Sequence, residues 1–363
     1  MDAANKNQSI TVGKSILVPS VQELAKGSLA KVPERYVQLN QNPLIIQADD
    51  DLQVPIINFE TLITRDGFEL EKLHSACQDW GFFQLINHGI DTSLLERFKL
   101  ETEEFFNLPL EEKKKYWQTP SEVEGFGQAF VVSEEQKLDW ADIFFLTTLP
   151  KHLRKPNLLP MLPLPYRDTM ENYSIQLRNL ALKLIDCMSK ALKIDTKIMR
   201  ESYGDHEEAH QSLRMNYYPP CPEPEKVIGL TPHSDGVALT ILLQFNEVEG
   251  LQIQKDGKWV PINPLPNAFV VNIGDILEIM SNGIYKSILH RSVVNETKQR
   301  ISVAAFHSPA FDKDIGPIPS LITPSTPARF IRVSATDYLK GLFTRALDGK
   351  SYLDVMRINK HDA

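Results

Sequence analysis

HSDGVALTILLQ, residues 233–244, joins a polar His-x-Asp pair to an apolar run. The run Ala238–Gln244 is too short for a stable helix and reads as a buried strand. Similar short segments flank it. Arg214–Tyr218 precedes it and stops at Pro219-Pro220, since proline cannot donate to a strand ladder. Leu251–Gln254, Trp259–Ile262, Phe269–Asn272, Ile276–Met280, Ser287–His290 and Ile301–Phe306 follow it. Asp256-Gly257, Gly274-Asp275 and Asn282-Gly283 punctuate the series as turns. Eight or so strands at this spacing predict a barrel or double-sheet jelly roll.

The rest of the chain reads differently, so the fold class is α+β: a jelly-roll (double-stranded β-helix, cupin-like) core flanked by helices. Residues 1–50 form a leading arm in which Ser20 can cap a helix with Glu23 three positions on. Val54–Phe59 is a short strand, Phe68–Trp80 a helix and Gly81–Asn87 a buried strand, followed by helices over about 92–106 and 109–117. Residues 118–165 are irregular, aromatic-rich and lid-like, and include Gly125-Phe126-Gly127 and Asp139-Trp140-Ala141-Asp142. Residues 166–193 carry the longest helical period, a scaffold helix. Three parts are expected: a mixed N-terminal domain over 1–205, the catalytic jelly roll over 206–325 and a helical tail over 326–363.

The net charge of −8 argues against a nucleic-acid partner. Three cysteines without a zinc spacing argue against a disulfide scaffold. No signal-like apolar segment, membrane span or lipidation signal is seen, so the expectation is a cytoplasmic monomer with no membrane partner.

His233 and Asp235, two apart on a strand, would point to one face. With His290 from a neighbouring strand they supply the two imidazoles and one carboxylate that hold non-haem Fe(II) and leave positions open opposite. Arg300 and Ser302, also two apart, can present a guanidinium fork and a hydroxyl to one carboxylate. Their apolar neighbours imply burial, and a buried Arg needs an anionic partner. This pattern points to an oxygenase that consumes 2-oxoglutarate. Asn216 and Tyr218 share a strand face and can both hydrogen-bond an acid. Phe306, His307, Phe126 and Phe144 are candidates for the substrate pocket.

Other readings compete. His206-Glu207-Glu208-Ala209-His210 has zinc-peptidase spacing, which works only on a stable, partly buried helix; here it follows Gly204-Asp205 and is polar. His88 reads as a turn or core residue, and Cys221 as structural. A non-catalytic jelly roll that binds a small molecule is the alternative from another class. It predicts a damaged triad or a lost Arg-x-Ser, and neither is seen.

The string NYYPPCP (216–222), the HxD…H triad and the RxS after it resemble the plant 2-oxoglutarate- and Fe(II)-dependent dioxygenases. The resemblance covers nearly the whole chain, including WGFFQLINHGI at 80–90 and SNGIYKS at 281–287. VPSVQELA and EGFGQAFVVSEEQKLDWAD are similar to the SRG1-like branch, which includes poppy thebaine and codeine O-demethylases. The resemblance implies that His233, Asp235 and His290 hold iron. It places Arg300 and Ser302 on the distal carboxylate of 2-oxoglutarate, and Tyr218 with Asn216 near its other end. Phe306 would line the substrate pocket. Leu289 departs from the family, where Glu commonly precedes the second His. The implied reaction uses O₂ and releases succinate and CO₂, with ascorbate as reductant. It hydroxylates, or O-demethylates with loss of formaldehyde, a plant specialised metabolite such as an alkaloid, flavonoid, coumarin or terpenoid. Substrate pose alone separates those outcomes.

Overall fold

Two neighbouring strands, His210–Tyr218 and Arg300–Ser308, set the plan of the molecule. They pair antiparallel along their whole length, with Arg300 opposite Tyr218 and Ser302 opposite Asn216. Side chains alternate across a strand, so each strand sorts its residues onto two faces. Leu213, Met215, Val303 and Ala305 enter the main apolar core. Arg214, Asn216, Arg300 and Ser302 line a cavity on the other side. The computed structural model describes residues 16–358 apart from 28, 39–52, 65–66, 120–121, 129–130, 132, 205–206 and 344–348.

The two strands sit inside an eight-stranded sheet. Its order is Ile56–Asn58, Phe82–Ile86, Phe269–Ile273, Leu239–Gln244, Arg300–Ser308, His210–Tyr218, Asp142–Leu149 and Gly125–Gly127. A second sheet of four strands runs Leu230–His233, His290–Ser292, Leu251–Lys255 and Lys258–Pro261. The cavity lies between the sheets, lined by Leu230, His233, Leu251 and His290 from the small one. This is the expected jelly roll. The large sheet takes strands from both sides of residue 205, so the parts divided there share one sheet.

The outer face of the large sheet is covered by the 26-residue helix Tyr166–Ala191. Its apolar stripe, including Tyr173, Leu177, Leu184 and Met188, is buried against that sheet. Thr92–Asn107 packs beside it, with Phe98 stacked on Tyr173 at a centroid distance of 4.0 Å. Such a pair adds about 1 kcal/mol beyond simple burial. Ser20 caps the helix Val21–Lys26 as expected, accepting from the Glu23 backbone N–H. No helix among the described residues is long and apolar enough to cross a membrane.

Three expectations fail. Ile276–Met280 is not a strand but the helix Asp275–Met280, buried on every side. Ile276-Leu277-Glu278-Ile279-Met280 is too short for its pattern to separate strand from helix, and its Glu278 is buried with the rest. A Cβ on Gly274 would lie 2.1 Å from the Val237 carbonyl oxygen, and this close approach starts the helix against the loop after Asp235. The segment read as an irregular lid contains the eight-residue strand Asp142–Leu149, which pairs with His210–Tyr218 in the large sheet. The strand read as Ser287–His290 begins only at His290.

Candidate active site

His233 ends the strand Leu230–His233 and faces His290 directly across the small sheet. The rings lie 4.3 Å apart between centroids. Asp235 does not share the strand, contrary to the reading of His-x-Asp as one extended face. It lies in the loop just beyond, where its carbonyl accepts from the Asp275 N–H at 2.7 Å. The loop still turns its carboxylate inward. Asp235 Oδ1 is 3.5 Å from His233 Nε2 and 3.6 Å from His290 Nε2.

The surroundings orient each of these atoms. His233 Nδ1 meets the Thr231 carbonyl at 2.8 Å, and His290 Nδ1 meets the Ile288 carbonyl at 3.2 Å. A carbonyl can only accept, so Nδ1 carries the proton and each Nε2 presents a lone pair to the centre. Asp235 Oδ2 accepts from Thr240 Oγ1 at 2.6 Å and Asn272 Nδ2 at 2.8 Å, which leaves Oδ1 toward the imidazoles. Burial, aided by neighbouring His233, pushes His290 down to about 4, so its imidazole is neutral at physiological pH. Burial alone would raise the Asp235 carboxyl, but His290, His233 and the Thr240 hydroxyl together hold it below the usual carboxylate range. Two imidazoles and a carboxylate on one side, with the cavity opposite, fit Fe(II).

At the other end of the cavity lies Arg300, 3% exposed. Nη2 donates to Gln244 Oε1 at 2.7 Å. Nε and Nη1 have no hydrogen-bond partner among the described residues. Buried donors left unmade are costly, and a fork of them fits a carboxylate. The close approach of Gly250 gives the side chain its bed: a Cβ there would lie 2.8 Å from Arg300 Cδ. Ser302 lies two residues nearer the metal centre on the same face, 3.5 Å from Asn216 Nδ2. Tyr218 was expected toward the opposite end of the co-substrate. The register corrects this: Tyr218 is directly opposite Arg300, whose guanidinium lies 5.2 Å from the ring centroid.

The pocket candidates divide by strand parity. Phe306 lines the cavity, but His307 points to the other face, where burial pushes it down to about 3. Phe126 and Phe144 pair across neighbouring strands and sink into the aromatic core with Phe105. Phe145, one residue on, takes the face expected of Phe144: it pairs with Arg214 and its ring is 6.3 Å from Phe306. Arg214 was also missed. It is buried, donates from Nε to Asn216 Oδ1 at 2.7 Å and lines the cavity. Its position two residues before Asn216 was the available signal.

His206 lies outside the described residues. His210 begins a strand of the large sheet and stacks on Phe311, so the helix that zinc-peptidase spacing needs is not there. His88 packs on Phe269 and meets the Asn267 carbonyl, a turn and core role. The Leu289 carbonyl accepts from Gln254 N–H at 2.7 Å, tying the backbone before His290 to its neighbouring strand.

Iron held by His233, Asp235 and His290 would supply redox chemistry with O₂. The chain's own residues hold the ligands in place, offer a charged fork to an acidic co-substrate and line the space between with Phe82, Leu242, Ala304 and Phe306.

Comparison with known proteins agrees with this geometry. Residues 209–309 match the 2OG-Fe(II) oxygenase superfamily, and 54–161 match the N-terminal region described as non-haem dioxygenase in morphine synthesis. Protein SRG1 of Arabidopsis thaliana is 56% identical over 95% of this chain and 97% of its own. Oxoglutarate-dependent flavonoid 7-O-demethylase 1 of Ocimum basilicum is 54% identical over 97% of this chain and 94% of its own. The crystal structure of JOX2 in complex with 2OG, Fe and JA superposes with a TM-score of 0.86 at 34% identity, covering 96% of this chain and all of that one. The chain therefore belongs to the 2OG-Fe(II) oxygenase superfamily and is a 2-oxoglutarate-dependent dioxygenase that uses Fe(II).

Proposed function

We propose that His233, Asp235 and His290 hold the iron, and that Arg300 and Ser302 grip the distal carboxylate of 2-oxoglutarate with Tyr218 and Asn216 beside them. The single observation that carries this is the unpartnered pair of Arg300 donors in the cavity that opens onto the triad. The substrate is a flat, largely apolar plant specialised metabolite, which is hydroxylated or loses an O-methyl group as formaldehyde. Phe306 and Phe145 support the flat shape, and Arg214 suits a phenolate or other acidic edge. Flavonoid and alkaloid O-demethylases among the relatives support O-methylated aromatics as the first class to try. Ascorbate serves as reductant. The protein works as a cytoplasmic monomer without nucleic-acid or membrane partners.

The test is succinate formation from 2-oxoglutarate with purified protein, Fe(II), ascorbate and a panel of O-methylated flavonoids and alkaloids. Stimulated succinate with matching formaldehyde identifies demethylation; succinate with a product heavier by one oxygen identifies hydroxylation. No stimulation across aromatic substrates, with turnover on a non-aromatic one, would reject the flat-substrate reading.

A further inference from the structure

The two imidazoles that face each other are not equally supported by their sheet. His290 lies on a strand paired on both sides, with Leu230–His233 and with Leu251–Lys255. His233 lies on the first strand of the same sheet, whose outer side is met by an isolated bridge to Gly349, with Ser234 N–H donating to the Gly349 carbonyl and Gly349 N–H to the Pro232 carbonyl. The pairing there is irregular: His290 opposes His233 and Ser292 opposes Leu230, with a register shift between. Thr231, whose carbonyl orients His233, thus falls where the ladder is interrupted.

A carboxylate from a distant segment fills that gap. Asp139 Oδ1 accepts from the Thr231 hydroxyl at 2.6 Å, and Oδ2 accepts from the Thr231 backbone N–H at 3.2 Å. The Thr231 carbonyl in turn accepts from His233 Nδ1 at 2.8 Å. Asp139 is itself held on both sides. Leu138 N–H donates to the Arg35 carbonyl, and Trp140 N–H donates to the Ile228 carbonyl at 2.8 Å. Trp140 is fully buried and meets Tyr36 edge-on. Asp142, the other acid of the Asp139-Trp140-Ala141-Asp142 string, does something else. It accepts from Ser20 Oγ and from the Val21 and Gln22 backbone N–H groups, which ties down the helix Val21–Lys26.

We propose that Asp139 is a positioning residue for His233: through Thr231 it fixes the tautomer and direction of that imidazole. The proposal rests on the reading of His233 as an iron ligand. Residues that orient a ligand from behind typically change metal affinity about 10–100-fold when altered. Asp142 should not, since its bonds go to the N-terminal helix.

The test is titration of Co(II) into metal-free protein, followed by its visible absorption, with thermal melts of the same metal-free samples. Asp139→Asn keeps one acceptor and loses one; its Co(II) Kd should rise roughly tenfold and its absorption envelope should change. Thr231→Val removes only the hydroxyl and should raise Kd by a few-fold. Asp142→Asn should lower the melting temperature and leave Kd and spectrum at the wild-type values. Wild-type Kd and spectrum in both Asp139→Asn and Thr231→Val would overturn the proposal, and so would an equal weakening in Asp142→Asn. If Asp139→Asn does not fold, Thr231→Val decides alone. His233→Ala separates the two claims. Wild-type Co(II) binding in that variant rejects the ligand reading itself, whereas lost binding there with normal binding in Asp139→Asn rejects only the relay.

Discussion

The two ends of the cavity are built on opposite terms. At the metal end each ligand atom that faces away from the centre already has a partner: carbonyls for both Nδ1 atoms, and a hydroxyl and an amide for Asp235 Oδ2. At the co-substrate end two buried Arg300 donors have no partner among the described residues. The first end is complete as a scaffold and needs only the ion. The second is incomplete until an anion arrives, so part of the affinity for the co-substrate comes from relieving a cost already present in the protein.

This contrast can be broken by substitution. His233→Ala removes one of the three proposed ligands, and 2-oxoglutarate turnover should vanish at any iron concentration; residual turnover rescued by excess iron would mean the triad is not the ligand set. Arg300→Leu should raise the KM for 2-oxoglutarate by about 100-fold. The same change should make the ligand-free protein more stable, by about 1–3 kcal/mol, because unmade buried donors disappear. Added 2-oxoglutarate should then raise the melting temperature of the wild type but not of the variant. A lower melting temperature for ligand-free Arg300→Leu would show that the fork is satisfied internally after all.

Asn272→Ala acts on the complete end. Asp235 Oδ2 keeps Thr240 but loses its second donor, and metal affinity should fall about tenfold. The metal-free protein should also be destabilised, unlike Arg300→Leu, and the KM for 2-oxoglutarate at saturating iron should stay at the wild-type value.

The smallest effect lies behind the sheet. His307 is pushed down to about 3 when folded, against an ordinary value of 6.5. On acidification the unfolded chain takes up a proton below pH 6.5 while the folded one does not until about 3, so stability is lost as pH falls through that window. At pH 5 the loss from this group is about 2 kcal/mol. His307→Leu should reduce the drop in stability between pH 7 and pH 5 by that amount. An unchanged drop would place the titration in other groups, with His210 the nearest candidate.

What could be read from residues alone followed spacing. Two-residue separation on strands put Arg300 with Ser302 and Asn216 with Tyr218, and the register pairs them as two facing couples. The same parity rule failed where strand membership was misread. Phe144 and Phe126 read as pocket candidates in an irregular segment, yet Asp142–Leu149 is a strand of the main sheet and parity turns Phe145, not Phe144, toward Arg214 and Phe306. Asp235 was placed on a strand that had already ended, although the loop delivered its carboxylate to the same point. Asp275–Met280 shows the limit of pattern: six consecutive buried positions look alike as helix or strand.

The chain itself determined the ligand types, the charged fork and the jelly-roll class, because alternation and turn residues act over a few positions and survive in one dimension. The tertiary structure decided which donors remain unpartnered among the described residues, which distant segment reaches Thr231 behind His233 and which of two adjacent phenylalanines faces Arg214 and Phe306. Those depend on contacts between residues far apart in the chain, such as Asp139 with Thr231 and Gly250 with Arg300, where a few tenths of an ångström separate a hydrogen bond from a clash.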